Sequence, residues 1–450
     1  MTNLKNIPIQ VKGCCSPTTS VKNNSTFNND VKHSLPVAII GAGPVGLAAA
    51  AHLAVRGKSF VLLEAGNQVG ANILTWGHVR LFSPWRYNID KASLSLLETS
   101  GWRHPNLDQL PTGKELVQQY LQPLANLPEI QPFVHLNTKV LAIGRKNIDK
   151  MKTWNRDHIP FIIHTENNGM YKTYEAGAVL DATGTWGNPN PAVSSGIWFK
   201  EEKSLQNQIF YGIPDVLGSE QARYANKRVA VVGGGHSAIN ALLDLVKLKE
   251  SFPKTDILWI MRRQRVEDAY GGEEKDALEA RGALGSRIHK LVDEQKIEVI
   301  TPFYIQLIKK SEEGIELQAE DRSLTGIDEL IVNTGSRPDF TMINEIRTSI
   351  DSATESVKAL APLIDPNIHS CGTVRPHGER ELRQPERNFY IIGSKSYGRA
   401  PTFLMATGYE QVRSVVAYLC GDFVSAEKVE LELPETGVCS TNLNNNNCCN

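Results

Sequence analysis

The chain has 450 residues, with 48 basic and 49 acidic side chains and a net charge of −1, a balance that gives no pull toward nucleic acid or an anionic membrane. Its length accommodates two or three domains with real cores, and no apolar run reaches the roughly 18 residues needed to span a bilayer. The seven cysteines, Cys14, Cys15, Cys371, Cys420, Cys439, Cys448 and Cys449, form no disulfide framework and point to a reducing, cytoplasmic compartment.

Residues 1–34 are rich in Asn, Ser and Lys without an apolar h-region, so a disordered arm is expected and a secretory signal is not. Between Pro36 and Glu64 lies the stretch that organises the rest. Val37–Ile40 is an apolar run of the kind buried in a parallel sheet. It meets a GxGxxG at Gly41-Ala42-Gly43-Pro44-Val45-Gly46, and an alanine-rich helix pattern follows to about Val55. A second apolar run, Ser59–Leu63, ends at Glu64, 23 residues after Gly41. Gly41 allows the tight turn, Gly43 lets a pyrophosphate approach the backbone, and Gly46 lets helix and strand pack closely. The helix N-terminus offers free N–H groups to the phosphates, and Glu64 accepts hydrogen bonds from a ribose diol. Glycine-rich turns are common, but strand, turn, helix, strand and acid in this order specify dinucleotide binding.

After Glu64 an insertion runs from Ala65 to about Tyr174. It holds a helix-like stretch, Pro111–Leu124, and strand-like runs at Thr138–Ile143, Pro160–Thr165 and Tyr171–Glu175. Ala178–Gly184 is a buried strand running into Thr185-Trp186-Gly187-Asn188-Pro189. A second nucleotide fold opens at Lys227: strand Arg228–Val232, the turn Gly233-Gly234-Gly235-His236-Ser237-Ala238, a helix to about Leu248, and strand Asp256–Met261. That strand ends in Arg262-Arg263 where the first fold has Glu64. Asp328–Asn333 leads into Thr334-Gly335-Ser336-Arg337-Pro338. Asn388–Ile392 ends at Gly393, and a helix pattern runs from Pro401 to about Leu419. The expected architecture is α/β, with two Rossmann-like dinucleotide-binding domains, 35–190 and 191–337, then a segment 338–424 and a flexible tail, 425–450.

Two such folds imply two dinucleotides, and the end of each second strand assigns them. Glu64 suits a free 2′-hydroxyl, as in FAD, whereas Arg262 and Arg263 suit the 2′-phosphate of NADPH. A solvated strand end remains the alternative for the arginines. His236 reads as a helix-start residue, not a catalyst.

The succession GAGPVG, ATG, GGGHSA, arginine pair, NTGSRP and strand–glycine–helix resembles the two-dinucleotide-binding-domain flavoproteins, from about Pro36 to Gly421. These include disulfide reductases, flavin-containing monooxygenases and N-hydroxylases. The resemblance implies that Gly41, Gly43, Pro44, Gly46, Glu64, Thr183, Gly184, Gly393 and Thr402 bind FAD. It implies that Gly233, Gly235, His236, Ser237, Ala238, Arg262, Arg263, Thr334 and Gly335 bind NADPH. The resemblance also implies that 338–424 is a return segment of the FAD domain (35–190), so that the NADPH domain (191–337) is inserted into the FAD domain, and that the helix N-terminus near Pro401–Thr402 points at the flavin pyrimidine. The wording RLFSPWRYNID, GTWGNPNP and SKSYGRAPTFLMATGYEQ resembles a bacterial branch associated with arsenic-resistance gene clusters.

There are departures. Ser394 and Lys395 follow the last glycine where the family carries aspartate. No cysteine lies between Cys15 and Cys371, which excludes a conventional thioredoxin- or glutathione-reductase mechanism. The FxGxxxH pattern of many monooxygenases has no counterpart, since Ile209–Pro214 holds no histidine. Family likeness places His78, Arg80, Trp85, Arg86 and Tyr87 along the flavin's substrate side, with domain-interface packing as the plain alternative. Cys371 is either a flavin neighbour or a small core residue. Cys14, Cys15, Cys439, Cys448 and Cys449 are either incidental or a trap for a thiophilic metalloid such as As(III).

The resulting expectation is an NADPH-dependent FAD oxidoreductase whose reduced flavin activates oxygen and oxygenates a small soft nucleophile. The alternative is reduction of a thiol-bound metalloid, metal or other acceptor. A third reading is an FAD-bound redox sensor with little turnover. Monomer and homodimer both remain open.

Overall fold

The computed structural model describes residues 35–276, 278–366 and 377–431. In chain order, β1 (Val37–Ile40), α1 (Pro44–Val55) and β2 (Phe60–Leu63) come first. Next are α2 (Lys91–Thr99), α3 (113–125, with a π-helical turn over Val117–Leu121) and the short strand β3 (Val134–His135). An antiparallel meander, β4 (Lys139–Arg145), β5 (Phe161–Asn167) and β6 (Met170–Ala176), then leads to β7 (Ala178–Asp181).

The second half repeats the plan. β8 (Ile209–Tyr211) and β9 (Arg228–Val232) precede α4 (His236–Ser251), β10 (Asp256–Ile260), α5 (Glu279–Asp293) and β11 (Glu298–Ile300). A second meander, β12 (Leu307–Ser311), β13 (Gly314–Gln318) and β14 (Ser323–Ile327), returns through β15 (Glu329–Val332). β16 (Phe389–Ile391) and α6 (Met405–Leu419) follow.

Both five-stranded sheets are wholly parallel. Their orders correspond, β16-β7-β1-β2-β3 in the first and β8-β15-β9-β10-β11 in the second. The outermost strand beside β7 comes from the end of the described chain, whereas its counterpart beside β15 comes from before the fold begins. The central strands are apolar along their length because helices or meanders cover both faces; Ala38, Ile39, Val229 and Val231 are fully buried.

One hydrophobic core joins residues of the stretch from Val37 to Ala182 with residues between Phe340 and Cys420. Two further cores, drawn from residues between Ala192 and Val332, lie on the two faces of the second sheet. The molecule is therefore α/β with two Rossmann-like domains, one inserted into the other. Alanines dominate α1 because it is wedged between sheet and α6: Ala48 to Ala51 are fully buried, and a Cβ on Gly408 of α6 would come 2.6 Å from Val45.

Several elements escape the sequence pattern: α5, β8, β11 and the whole second meander. The return helix also begins later than expected, at Met405 and not Pro401, so Pro401 and Thr402 belong to the turn ahead of it. Pro401 carries a helix-start signature, but residues 401–404 remain outside the helix, which winds from Met405.

The return segment is tied to the first meander by a buried carboxylate. Glu386 accepts from Arg145 Nε at 2.8 Å and from Arg156 Nη2 at 2.8 Å, and all three side chains are at most 3% exposed. Replacing Glu386 by alanine strands two buried guanidinium groups, so denaturant unfolding should show a loss of about 3–5 kcal/mol. A loss below about 1 kcal/mol, the level of an exposed pair, would show that this cluster does not hold the segment.

Candidate active site between the two dinucleotide folds

At the tip of β1 the chain turns with Gly41 at φ +99°, where an added Cβ would lie 3.0 Å from the Ala182 carbonyl oxygen. Gly46 is tighter, since a Cβ there would lie 1.9 Å from the Gly41 carbonyl oxygen. Both glycines are thus required by the fold itself. Gly43 differs. Its backbone is extended (φ −79°, ψ −174°), and a Cβ added to it would meet nothing within 4 Å. As N-cap of the 12-residue α1 it supplies no side-chain cap, which leaves the first amides of the helix facing that open space. Glu64 is already held there, its carboxylate accepting from Ala42 N at 2.6 Å and Gly66 N at 2.7 Å.

Two further turns complete this side. Thr183 and Gly184 (φ +70°) follow β7, and Gly393 (φ +70°) follows β16. Gln411 of α6 holds the second turn, accepting from Gly393 N at 2.7 Å and donating to Ser396 Oγ at 2.9 Å. Lys395, read in the sequence only as a departure, is 1% exposed and donates to Asp181 Oδ2 at 2.7 Å and Thr183 Oγ1 at 3.1 Å. It therefore ties the β16 turn to the β7 turn through a buried ion pair. A lysine next to an apolar strand carried no signal of burial; its carboxylate partner is 214 residues away. Thr402 Oγ1 is buried without a partner among the described residues.

The second fold mirrors the first. Gly233 has φ +135°, and a Cβ added there would lie 2.3 Å from the Asn333 carbonyl oxygen. Gly235, the N-cap of α4, is extended, and a Cβ added to it would again meet nothing within 4 Å. The Arg263 side chain lies against the turn, its Nε 3.1 Å from where a Gly234 Cβ would stand, while Arg262 is exposed. His236 is the first residue of α4, with Ser237 and Ala238 behind it. Burial holds its imidazole below the usual range, aided by Arg281 and Arg263.

Between the folds the chain crosses twice, and the crossings pair. Asn190 N donates to Gly335 O at 2.9 Å, Thr334 Oγ1 to Asn190 O at 3.0 Å, and Arg337 N to Asn188 O at 2.9 Å. The 77–90 segment covers the α4 N-terminus, with the Phe82 ring 5.7 Å from that of His236. His78 faces Asp244 of α4, whose carboxyl burial pushes up. Trp186 donates from Nε1 to Thr75 Oγ1 at 2.8 Å and packs 6.0 Å from Trp76.

Of the expected substrate-side cluster, His78 reaches the domain boundary. Trp85 is instead 3% exposed in the first core. Arg80 donates to Leu110 O at 2.5 Å, and Arg86 pairs with Asp108. Tyr87 closes the short helical turn that Trp85 begins. Phe82 and Trp186 meet the other fold, and neither carries a signal of that in the sequence. Cys371, Cys14, Cys15, Cys439, Cys448 and Cys449 lie outside the described residues, which contain no candidate metal-ligand cluster.

The pyridine nucleotide-disulphide oxidoreductase family matches residues 38–371. The chain belongs to that family. A ferredoxin–NADP reductase of Lactobacillus gasseri is 24% identical over 345 residues, covering 75% of this chain and 85% of the relative. Bacillithiol disulfide reductase of Bacillus cereus superposes with a TM-score of 0.63 at 18% identity, covering 86% and 99%. A flavin monooxygenase of Stenotrophomonas maltophilia gives 0.51 at 22% identity, covering 86% and 99%. The protein is an NADPH-dependent flavoprotein oxidoreductase with FAD and NADPH as cofactors.

The residues fit these groups: an uncapped helix N-terminus, an open space at the second glycine, and an acid in one fold against an arginine in the other. Because Gly43 is neither strained nor crowded, Gly43→Trp should leave the fold and its thermal transition intact and yield a colourless protein. A variant that keeps its full flavin absorbance would refute the first-fold assignment.

Proposed function

We propose that the enzyme uses NADPH to drive oxygenation of a small soft nucleophile. One atom of dioxygen ends on the substrate and the other in water, with NADPH and a proton supplying two electrons and two hydrogens. FAD, when bound, supplies the redox chemistry between nucleotide and oxygen. The chain's own part is to align the two dinucleotides at facing strand tips and to shield the space between them with Trp76, Phe82 and Trp186.

The carrying observation is that the body of the chain holds no dithiol. No cysteine occurs between Cys15 and Cys371. Cys420, the free cysteine among the described residues, caps the C-terminal end of α6, about 14 Å by helical rise from Gln411, which holds the Gly393 turn. Among the described residues, then, no thiol pair relays electrons onward, which supports an acceptor that meets the flavin directly. The named relatives favour a second reading, direct reduction of an external acceptor by the same route. Reduction of a thiol-bound metalloid delivered by the terminal cysteines is one form of it, and a sensor with slow turnover is the limiting case.

NADPH should bleach the flavin anaerobically, and steady turnover should then consume oxygen and transfer labelled oxygen to the substrate. Turnover of Hg(II) or ferredoxin under argon, without oxygen uptake, would replace the oxygenase reading by the reductase one. Nucleotide choice is a separate matter. Charge-assisted contacts to a 2′-phosphate contribute roughly 1.5–3 kcal/mol each, so alanine at both Arg262 and Arg263 should raise KM for NADPH about a hundredfold. KM for NADH should barely change, and Arg263→Ala alone should give most of the effect. Equal losses for both nucleotides would overturn the assignment.

A further inference from the structure

The turns after β7 and β15 occupy the same place in their folds. Ile40 pairs with Asp181 and Val232 with Val332. The next residue of each outer strand then donates its N–H to the central strand, Ala182 to Ile40 O at 2.9 Å and Asn333 to Val232 O at 2.7 Å. Both turns continue Thr-Gly, so Ala182 in the FAD fold becomes Asn333 in the NADPH fold. That exchange places a carboxamide where an alanine suffices for the fold. Both its polar atoms, Nδ2 and Oδ1, are buried and have no partner among the described residues.

Buried amides are almost always paired, and an unmet donor and acceptor cost stability. A second orphan lies beside the first. Asn190 is 6% exposed and donates from Nδ2 to Thr334 O at 3.2 Å, while its Oδ1 is buried and unpartnered among the described residues. Two asparagines, one from the linker and one from a strand tip, thus converge on the Thr334–Gly335 turn with one donor and two acceptors unused.

Their place in the strand order identifies the ligand. A dinucleotide lies across the tip of the central strand, its pyrophosphate at the helix N-terminus. Here that is β9 and α4. Arg263 marks the adenosine end, on the β10 flank of β9; Asn333 stands on the opposite, β15 flank. We propose that Asn333, with Asn190 Oδ1, forms the polar pocket that reads the nicotinamide half of NADPH. A carboxamide offers one acceptor and two N–H groups, the complement of what these side chains leave open. This inference rests on NADPH binding in the second fold.

The test uses flavin-loaded protein free of nicotinamide nucleotide, with NADP+ and adenosine 2′,5′-bisphosphate as titrants. Asn333→Ala should raise the Kd for NADP+ about tenfold, the size of one or two hydrogen bonds, and leave that for the bisphosphate unchanged. Its melting temperature without nucleotide should hold or rise, because an unsatisfied buried amide is gone. Asn333→Asp, which keeps the shape but loses the donor, should weaken NADP+ in the same selective way and carries the test if the alanine variant folds poorly. Unchanged NADP+ affinity, or equal weakening of both ligands, would overturn the proposal. Arg263→Ala serves as the control: it should weaken both ligands, and if it weakens neither, the site assignment itself fails rather than the role of Asn333.

Discussion

At the tips of β1 and β9 the backbone leaves a buried parallel strand and must enter a helix while pressed against the neighbouring strand. Gly41 against Ala182 and Gly233 against Asn333 show how little room there is. No side chain fits the positive-φ conformation and that contact together. The consequence reaches beyond the turn. Because the strand ends so close to its neighbour, helix amides, neighbouring turn and the residue ending the second strand converge on one point. Glu64 is held by two backbone amides, so the carboxylate is in position before a ribose meets it, and less ordering remains to be done on binding.

The repetition of this plan makes the differences informative. The first fold has an acid at its second strand end and alanine after β7; the second has arginine and asparagine at the corresponding places. Only the first fold receives a returning strand and helix from the end of the described chain. Its sheet is therefore completed only after the second fold has been traversed, and the paired crossings at 188–190 and 334–337 are the consequence of that route. They also bring both Thr-Gly turns close to one another, with Ser336 Oγ donating to Thr185 Oγ1 at 2.9 Å.

Buried polar contacts set the alignment within the first fold. Lys395 with Asp181 and Gln411 with Gly393 are specific, directional links between turns that apolar packing alone would leave free to slide. The Lys395 ammonium also stands where the resemblance leads one to expect an acid nearby, so the positive charge is neutralised internally by Asp181 and not left facing the cleft.

The features legible in the order of residues are local ones. The two strand–turn–helix–strand units, the opposed characters of Glu64 and Arg262-Arg263, and the strands ending at Asp181, Val332 and Ile391 all follow from short-range periodicity and from backbone conformations few residues adopt. Short or mixed segments carry no such period. β8, β11 and the second meander are strands because an existing sheet or core edge receives them, and α5 is a helix that packs against α4 and the 270–275 segment. The same limit holds at the site. Trp85 reads as a cleft residue and is core, while Lys395, Gln411 and Asn333 read as ordinary polar positions. Whether a side chain is buried, paired or left with an unused amide depends on residues far along the chain, Asp181 that pairs with Lys395 and Gly233 that packs against Asn333, and only the tertiary structure brings those together.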